Sequence, residues 1–64
     1  MNAQLIKSKI VLNGFSQNEL AIKIGMSAST LSQKLNQKSE FTRSEMELIA
    51  KELKCDVKEL FFCE

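Results

Sequence analysis

SQNELAIKIGMSASTLSQKL, residues 16–35, decides the fold of this 64-residue chain. It reads as two short helices joined by one tight turn. Gln17 opens the first helix behind the capping hydroxyl of Ser16. Ala21 is small where a second helix must cross closely. Gly25 supplies a turn residue that tolerates positive φ, and Ser27 caps the second helix. A helix pair of this size leaves its second member on the surface, with dimensions that fit the major groove of B-DNA.

The same start signals extend outward from this pair. Phe15-Ser16-x-x-Glu19-Leu20 places a capping serine three residues before a glutamate, between two apolar residues that can staple the helix entry. Phe41-Thr42-x-x-Glu45-Met46 repeats the arrangement, and Cys55-Asp56-x-x-Glu59-Leu60 repeats it again. Met26-Ser27 followed by Leu31 keeps cap and staple but has Thr30 in place of the glutamate. That helix start therefore carries no negative charge, which suits a surface facing phosphates. A further helix comes first, from about Ala3 to Leu12, and stops at Asn13-Gly14, a natural left-handed end.

Periodicity then predicts the core. Ile6 and Ile10 share a face of the first helix with Leu5 and Leu12 beside them. Leu20, Ala21 and Ile24 line the second helix, and Leu31 and Leu35 the third. Met46, Ile49, Ala50 and Leu53 form one stripe on the fourth, and Val57, Leu60 and Phe61 anchor a short last helix. No strand signal competes, so the expectation is an all-α, compact bundle of five short helices forming a single domain over residues 1–64.

Length and composition set the outer bounds. A chain this short buries only about 60% of the surface that its unfolded form exposes, so it profits from a partner and has little room for an enclosed cofactor pocket. Apolar residues at 44% and charged residues at 27%, with no proline, suit a helical soluble domain. There is no histidine, and the chain shows no nucleophile–base pairing and no carboxylates at ligand spacing. Catalysis, a metal site and a cofactor are therefore not expected. Cys55 and Cys63 read as reduced structural thiols in a bacterial-type cytoplasm, although a disulfide between them is possible in principle. Lys7 and Lys9 interrupt the apolar N-terminal stretch, which reads as neither signal peptide nor membrane span. No separate sensor or cleavage domain is expected at this length.

The formal net charge of +1 hides an asymmetry. Residues 1–38 hold five lysines against Glu19 alone, a balance of +4. Residues 39–64 hold four basic against seven acidic side chains, a balance of −3. A polyanion is met by the first half and repelled by the second. With Leu31 and Leu35 inward, rotation along the third helix turns Ser29, Ser32, Gln33 and Asn36 outward, with Ala28 at the margin. A solvated helix face normally carries Glu and Lys, whereas this strip is polar and uncharged. Small donor–acceptor side chains allow close approach to base edges, and Gln33 can take adenine through N6 and N7. The other candidates have plainer readings: Lys7 and Lys9 as solvated, Glu45, Glu47 and Glu52 among Lys51 and Lys54 as a solvated face, and Met26 and Met46 as staple or core.

Gln17, Glu19-Leu20-Ala21, Lys23, Gly25, Ser27 and Thr30-Leu31-Ser32 together resemble the Cro/repressor-type helix–turn–helix family of phage and bacterial regulators, the xenobiotic-response-element type. The likeness is strongest from Ser16 to Asn36 and continues through LNQKSEFTRSEMELIAKEL, which looks like small phage-type members. It implies a lambda-repressor-like DNA-binding domain with the helix–turn–helix at helices 2 and 3. It implies roles as well. Gln17 would hold a phosphate with the neighbouring backbone amides. Ala28, Ser29 and Gln33, with Ser32 close by, would face base edges. Asn36 and Lys38 would reach the opposite backbone with Arg43 assisting, and Lys34 would add a flanking phosphate contact. Two departures stand out. Many members have a bulky apolar residue and then glutamate where this chain has Lys34 and Leu35. They have glycine where it has Gln37, which must then enter a conformation that glycine takes freely. The strip has no arginine, so guanine recognition should be weak.

The function so implied is a sequence-specific double-stranded DNA-binding transcriptional regulator, a small phage or prophage repressor of the bacterial cytoplasm, with no small-molecule ligand and no membrane. It would act as a homodimer on an inverted repeat. Consecutive Phe61 and Phe62 cannot both face inward on a helix, so one of them is expected at a dimer contact unless Phe62 folds back over the first helix. Two other classes remain: a protein-interaction module, such as an antirepressor or antitoxin using the acidic half, and a nucleic-acid binder of low specificity.

Overall fold

Each α-helix begins where a side-chain oxygen takes an amide that the helix leaves unpaired. In the computed structural model, which describes residues 2–62, these helices are α1 (Ala3–Leu12), α2 (Gln17–Ile24), α3 (Ala28–Leu35) and α4 (Arg43–Leu53). A π-helical turn over Lys58–Phe62 closes the chain, and among the described residues there is no strand. Ser16 Oγ accepts the Glu19 amide at 3.1 Å, while Glu19 Oε1 accepts the Ser16 amide at 2.9 Å. Thr42 and Glu45 form the same box, at 3.2 and 2.8 Å. At α3, which lacks the carboxylate, only half of the box forms, and the Thr30 hydroxyl meets the capping hydroxyl and not the Ser27 amide. Ser27 Oγ accepts the Thr30 amide at 3.1 Å and donates to Thr30 Oγ1 at 2.8 Å. Asn2 caps α1 by accepting the Leu5 amide at 3.0 Å, a cap the other start signals did not single out.

The helix ends follow one pattern too. At Gly14, Gly25, Gln37 and Lys54 the chain takes positive φ, of 79°, 79°, 63° and 58°. Around each, two amides return to the last turn: for Gln37 these are Gln37 N–H to Lys34 O at 3.1 Å and Lys38 N–H to Gln33 O at 2.9 Å. Gln37 thus takes the left-handed conformation that its place in the motif demanded. Lys54 does the same without any such warning in the sequence.

The core is the one that periodicity outlines. Ile6, Ile10, Leu20, Ala21, Ile24, Leu31, Leu35, Ile49, Ala50, Leu53, Leu60 and Phe61 are buried. Phe41 joins them, its ring edge-on to Phe61 with centroids 5.3 Å apart. Truncating a fully enclosed residue such as Leu31 to alanine would cost about 2–5 kcal/mol. Asn13 couples distant parts of the chain by donating from Nδ2 to Lys9 O at 2.8 Å and to Leu53 O at 3.2 Å.

Three expectations need correction. Leu12 is 76% exposed, because two steps beyond Ile10 carry it to the opposite side of α1. Glu45 is half-buried instead of solvated, since it closes the α4 cap and meets Lys34. The cap expected at Asp56 and Glu59 is not closed among the described residues. The Leu60 amide returns to Asp56 O at 3.2 Å, and the chain winds wide enough for adjacent Leu60 and Phe61 both to enter the core. Leu60 O then accepts the Asn2 amide at 3.1 Å, joining the two ends. Cys55 is a partly buried thiol 3.3 Å from Leu53 O, whereas Cys63 lies outside the described residues.

Candidate nucleic-acid interface

Leu31 and Leu35, both essentially inaccessible, fix the rotation of α3 and so decide which side chains face solvent. Ser29, Gln33 and Asn36 are exposed, while Ala28 and Ser32 are half-buried at the edges of the strip. The first turn of α3 contains no acidic residue. Ser27 satisfies the Thr30 amide, so the amides of Ala28 and Ser29 are left with no intrahelical acceptor at the positive end of the helix dipole. At α2 the amides of Gln17 and Asn18 have the same freedom, because Glu19 has turned its carboxylate back onto the Ser16 amide. Gln17 itself is half-buried at the first helical position.

The flanking cations divide into two kinds. Lys38 is exposed, and among the described residues it has no ion-pair partner. Arg43 is exposed too, its side chain 81% accessible, with Nε only loosely placed 3.5 Å from Glu47 Oε1 one helical turn away. Lys34 differs. Its Nζ lies 2.6 Å from Glu45 Oε1, its side chain is 12% accessible, and it sits 5.8 Å from the centre of the Phe41 ring. The Lys34 hydrogen bond is the main reason why the Glu45 carboxyl is held below the ordinary carboxylate range. The Thr42 amide adds to that effect, and burial opposes it. Of the residues singled out in the sequence, α3 therefore carries Ala28, Ser29, Ser32 and Gln33 on one connected strip. Asn36, Lys38 and Arg43 follow it as exposed side chains, whereas Lys34 is engaged with α4.

Sequence reasoning missed the double duty of Glu45. One signal pointed to it: a lysine standing where a bulky apolar residue is usual implies a half-buried ammonium, and such a group needs a counter-charge. Beside this junction the segment from Gln37 to Phe41 walls an open groove of about 410 Å³, with Met46 and Phe61 on its far side. Phe62 is 60% exposed and so is not enclosed against the first helix. Among the described residues no three His, Cys, Asp or Glu side chains gather as metal ligands, and no helix is long and apolar enough to cross a membrane.

A family model described as Cro/C1-type HTH DNA-binding domain matches residues 6–64. No curated protein and no solved structure matches the chain significantly.

Proposed function

The chain belongs to the Cro/C1-type helix–turn–helix DNA-binding domains, and from that premise we propose that it is a sequence-specific transcriptional regulator, a small phage or prophage repressor. The observation that carries this reading is the uncharged polar edge of α3, standing free on a helix whose first turn lacks a carboxylate. In this mechanism α3 enters the major groove. Gln33 reads an adenine edge, Ser29 and Ser32 make short polar contacts, and Ala28 allows close approach. Gln17, Asn36, Lys38 and Arg43 hold phosphates on either side, setting register without reading sequence. Repression follows from occupying a promoter in the cytoplasm of the bacterial host.

The chain works as a symmetric homodimer on an inverted repeat whose half-sites lie about one helical turn apart. The exposed ring of Phe62, next to buried Phe61, supports a contact through the C-terminal segment. Selection from a randomised duplex pool tests specificity and half-site spacing together. A specific regulator prefers its operator to random DNA by about a thousandfold or more. Binding without preference but with a steep salt slope would instead mark a charge-driven binder. The absence of any binding at low salt would end the DNA reading.

A further inference from the structure

We propose that Lys34 is a positioning residue: it latches the C-terminal end of α3 to the start of α4 and thereby sets the attitude of the base-reading helix and of segment 36–42. The proposal rests on the DNA-binding reading above and deepens it by removing Lys34 from the phosphate contacts. A single carboxylate oxygen, Glu45 Oε1, accepts both the Thr42 amide at 2.8 Å and the Lys34 ammonium at 2.6 Å. The capping box of α4 is thus joined directly to the last turn of α3, and the pair spans the segment that carries Asn36 and Lys38. Phe41 completes the junction, with the ammonium of Lys34 5.8 Å from the centre of its ring.

The accessibility of the pair argues against a phosphate role. The side chains are 12% and 23% accessible. To reach a phosphate, Lys34 would have to abandon a half-buried carboxylate and leave its charge uncompensated. Lys38 and Arg43 are exposed and need no such exchange. Between the buried Leu35 and Phe41, the segment is otherwise held only at its α3 end, where the amides of Asn36, Gln37 and Lys38 return to Ser32 O, Lys34 O and Gln33 O and Asn36 Nδ2 reaches Ser32 Oγ at 3.5 Å. Without the latch, the left-handed residue Gln37 becomes the pivot of a loosely fastened loop.

Glu45→Gln is the decisive variant. Glutamine at this position keeps the capping box, so α4 still starts at the same place, while the Lys34 ammonium loses its counter-charge and keeps at most a weaker bond to a neutral oxygen. Removing a carboxylate ordinarily strengthens binding to a polyanion, whereas loss of the latch weakens it. On a short duplex that the wild type has selected from a random pool, Glu45→Gln and Lys34→Met should each lower affinity about three- to tenfold. The double variant should lose no more than either single one. In the free protein, amide exchange at Gln37 and Lys38 should quicken several-fold in both single variants.

Unchanged or tighter binding by Glu45→Gln overturns the proposal. So does a Lys34→Met variant that alone loses affinity and about one unit of salt slope, since that marks a phosphate contact. Unaltered exchange in both variants overturns the latch even where no DNA is present. If the wild type retains no duplex at all, the functional reading falls and the positioning role falls with it, while the exchange data still report separately on the latch.

Discussion

Replacing Gln37 by glycine should stabilise this protein, and so should replacing Lys54. Both residues sit at φ near +60°, in the position that Gly14 and Gly25 occupy after the other two helices. A left-handed conformation costs an L-residue about 1–2 kcal/mol, and glycine avoids that cost. Glycine also has more freedom to lose from the unfolded chain, which returns about 0.5–1 kcal/mol. The net gain is about 0.5–1 kcal/mol per site. Neither side chain has an ion-pair or hydrogen-bond partner among the described residues, so no polar interaction is forfeited. Each kcal/mol shifts the melting temperature of a domain this small by about 4–8 °C. The converse change, Gly25→Ala, provides the control. A Cβ there meets nothing within 4 Å, so its cost of about 1 kcal/mol comes from the backbone alone. Urea and thermal unfolding followed by far-ultraviolet circular dichroism give all three values. If Gln37→Gly and Lys54→Gly leave the midpoint unchanged or lower it while Gly25→Ala destabilises as stated, the strain assigned to these residues does not exist.

The remaining predictions concern the interface and its support. Gln33→Ala should relax preference at one base pair by about 1–3 kcal/mol with the salt dependence nearly unchanged; a uniform loss over all sequences would show that Gln33 reads no base. Lys38→Ala should weaken binding to every sequence and lower the salt slope by about one, and an unaltered slope would remove it from the phosphate contacts. The carboxyl of Glu45 is held low in the folded state, chiefly by Lys34. Its stabilising contribution is therefore complete above the pKa of the carboxyl in the unfolded chain and is lost as pH falls through the lower folded value. The urea midpoint of the wild type should drop more steeply on acidification than that of Glu45→Gln, and parallel curves would contradict this. Phe62→Ser should shift a monomer–dimer equilibrium toward monomer in sedimentation measurements without lowering the melting temperature of dilute protein; an unchanged equilibrium would place the dimer contact elsewhere.

Much of this architecture could be read from the chain because its signals act over three or four residues. Ser16 with Glu19 and Thr42 with Glu45 each settle a helix start within one turn by closing a box, and Ser27 settles a third by the cap alone, as the spacing implies. The apolar stripes of α2, α3 and α4 depend on the same short period, which is why Leu20, Leu31 and Ile49 are buried as expected. Gln37 was legible for a similar reason, since a residue just past a helix end has few conformations open to it. Leu12 misled because apolar character alone does not say which side of a helix lacks a neighbour. The last turn misled because docking of both Leu60 and Phe61 overrode the local cap at Asp56.

Sequence by itself therefore determined the four α-helices, the inner faces of α2, α3 and α4 and the uncharged edge of α3, all consequences of hydrogen bonds and periodicity within a single turn. Only the tertiary structure decided which cations remain available. Lys34 and Glu45 are eleven residues apart and Asn13 and Leu53 forty, and such pairs form only when packing brings their helices together. A lysine reads the same in a sequence whether its ammonium meets water, a phosphate or a buried carboxylate. Which of these it meets depends on distance and solvent access, and the fold alone sets both.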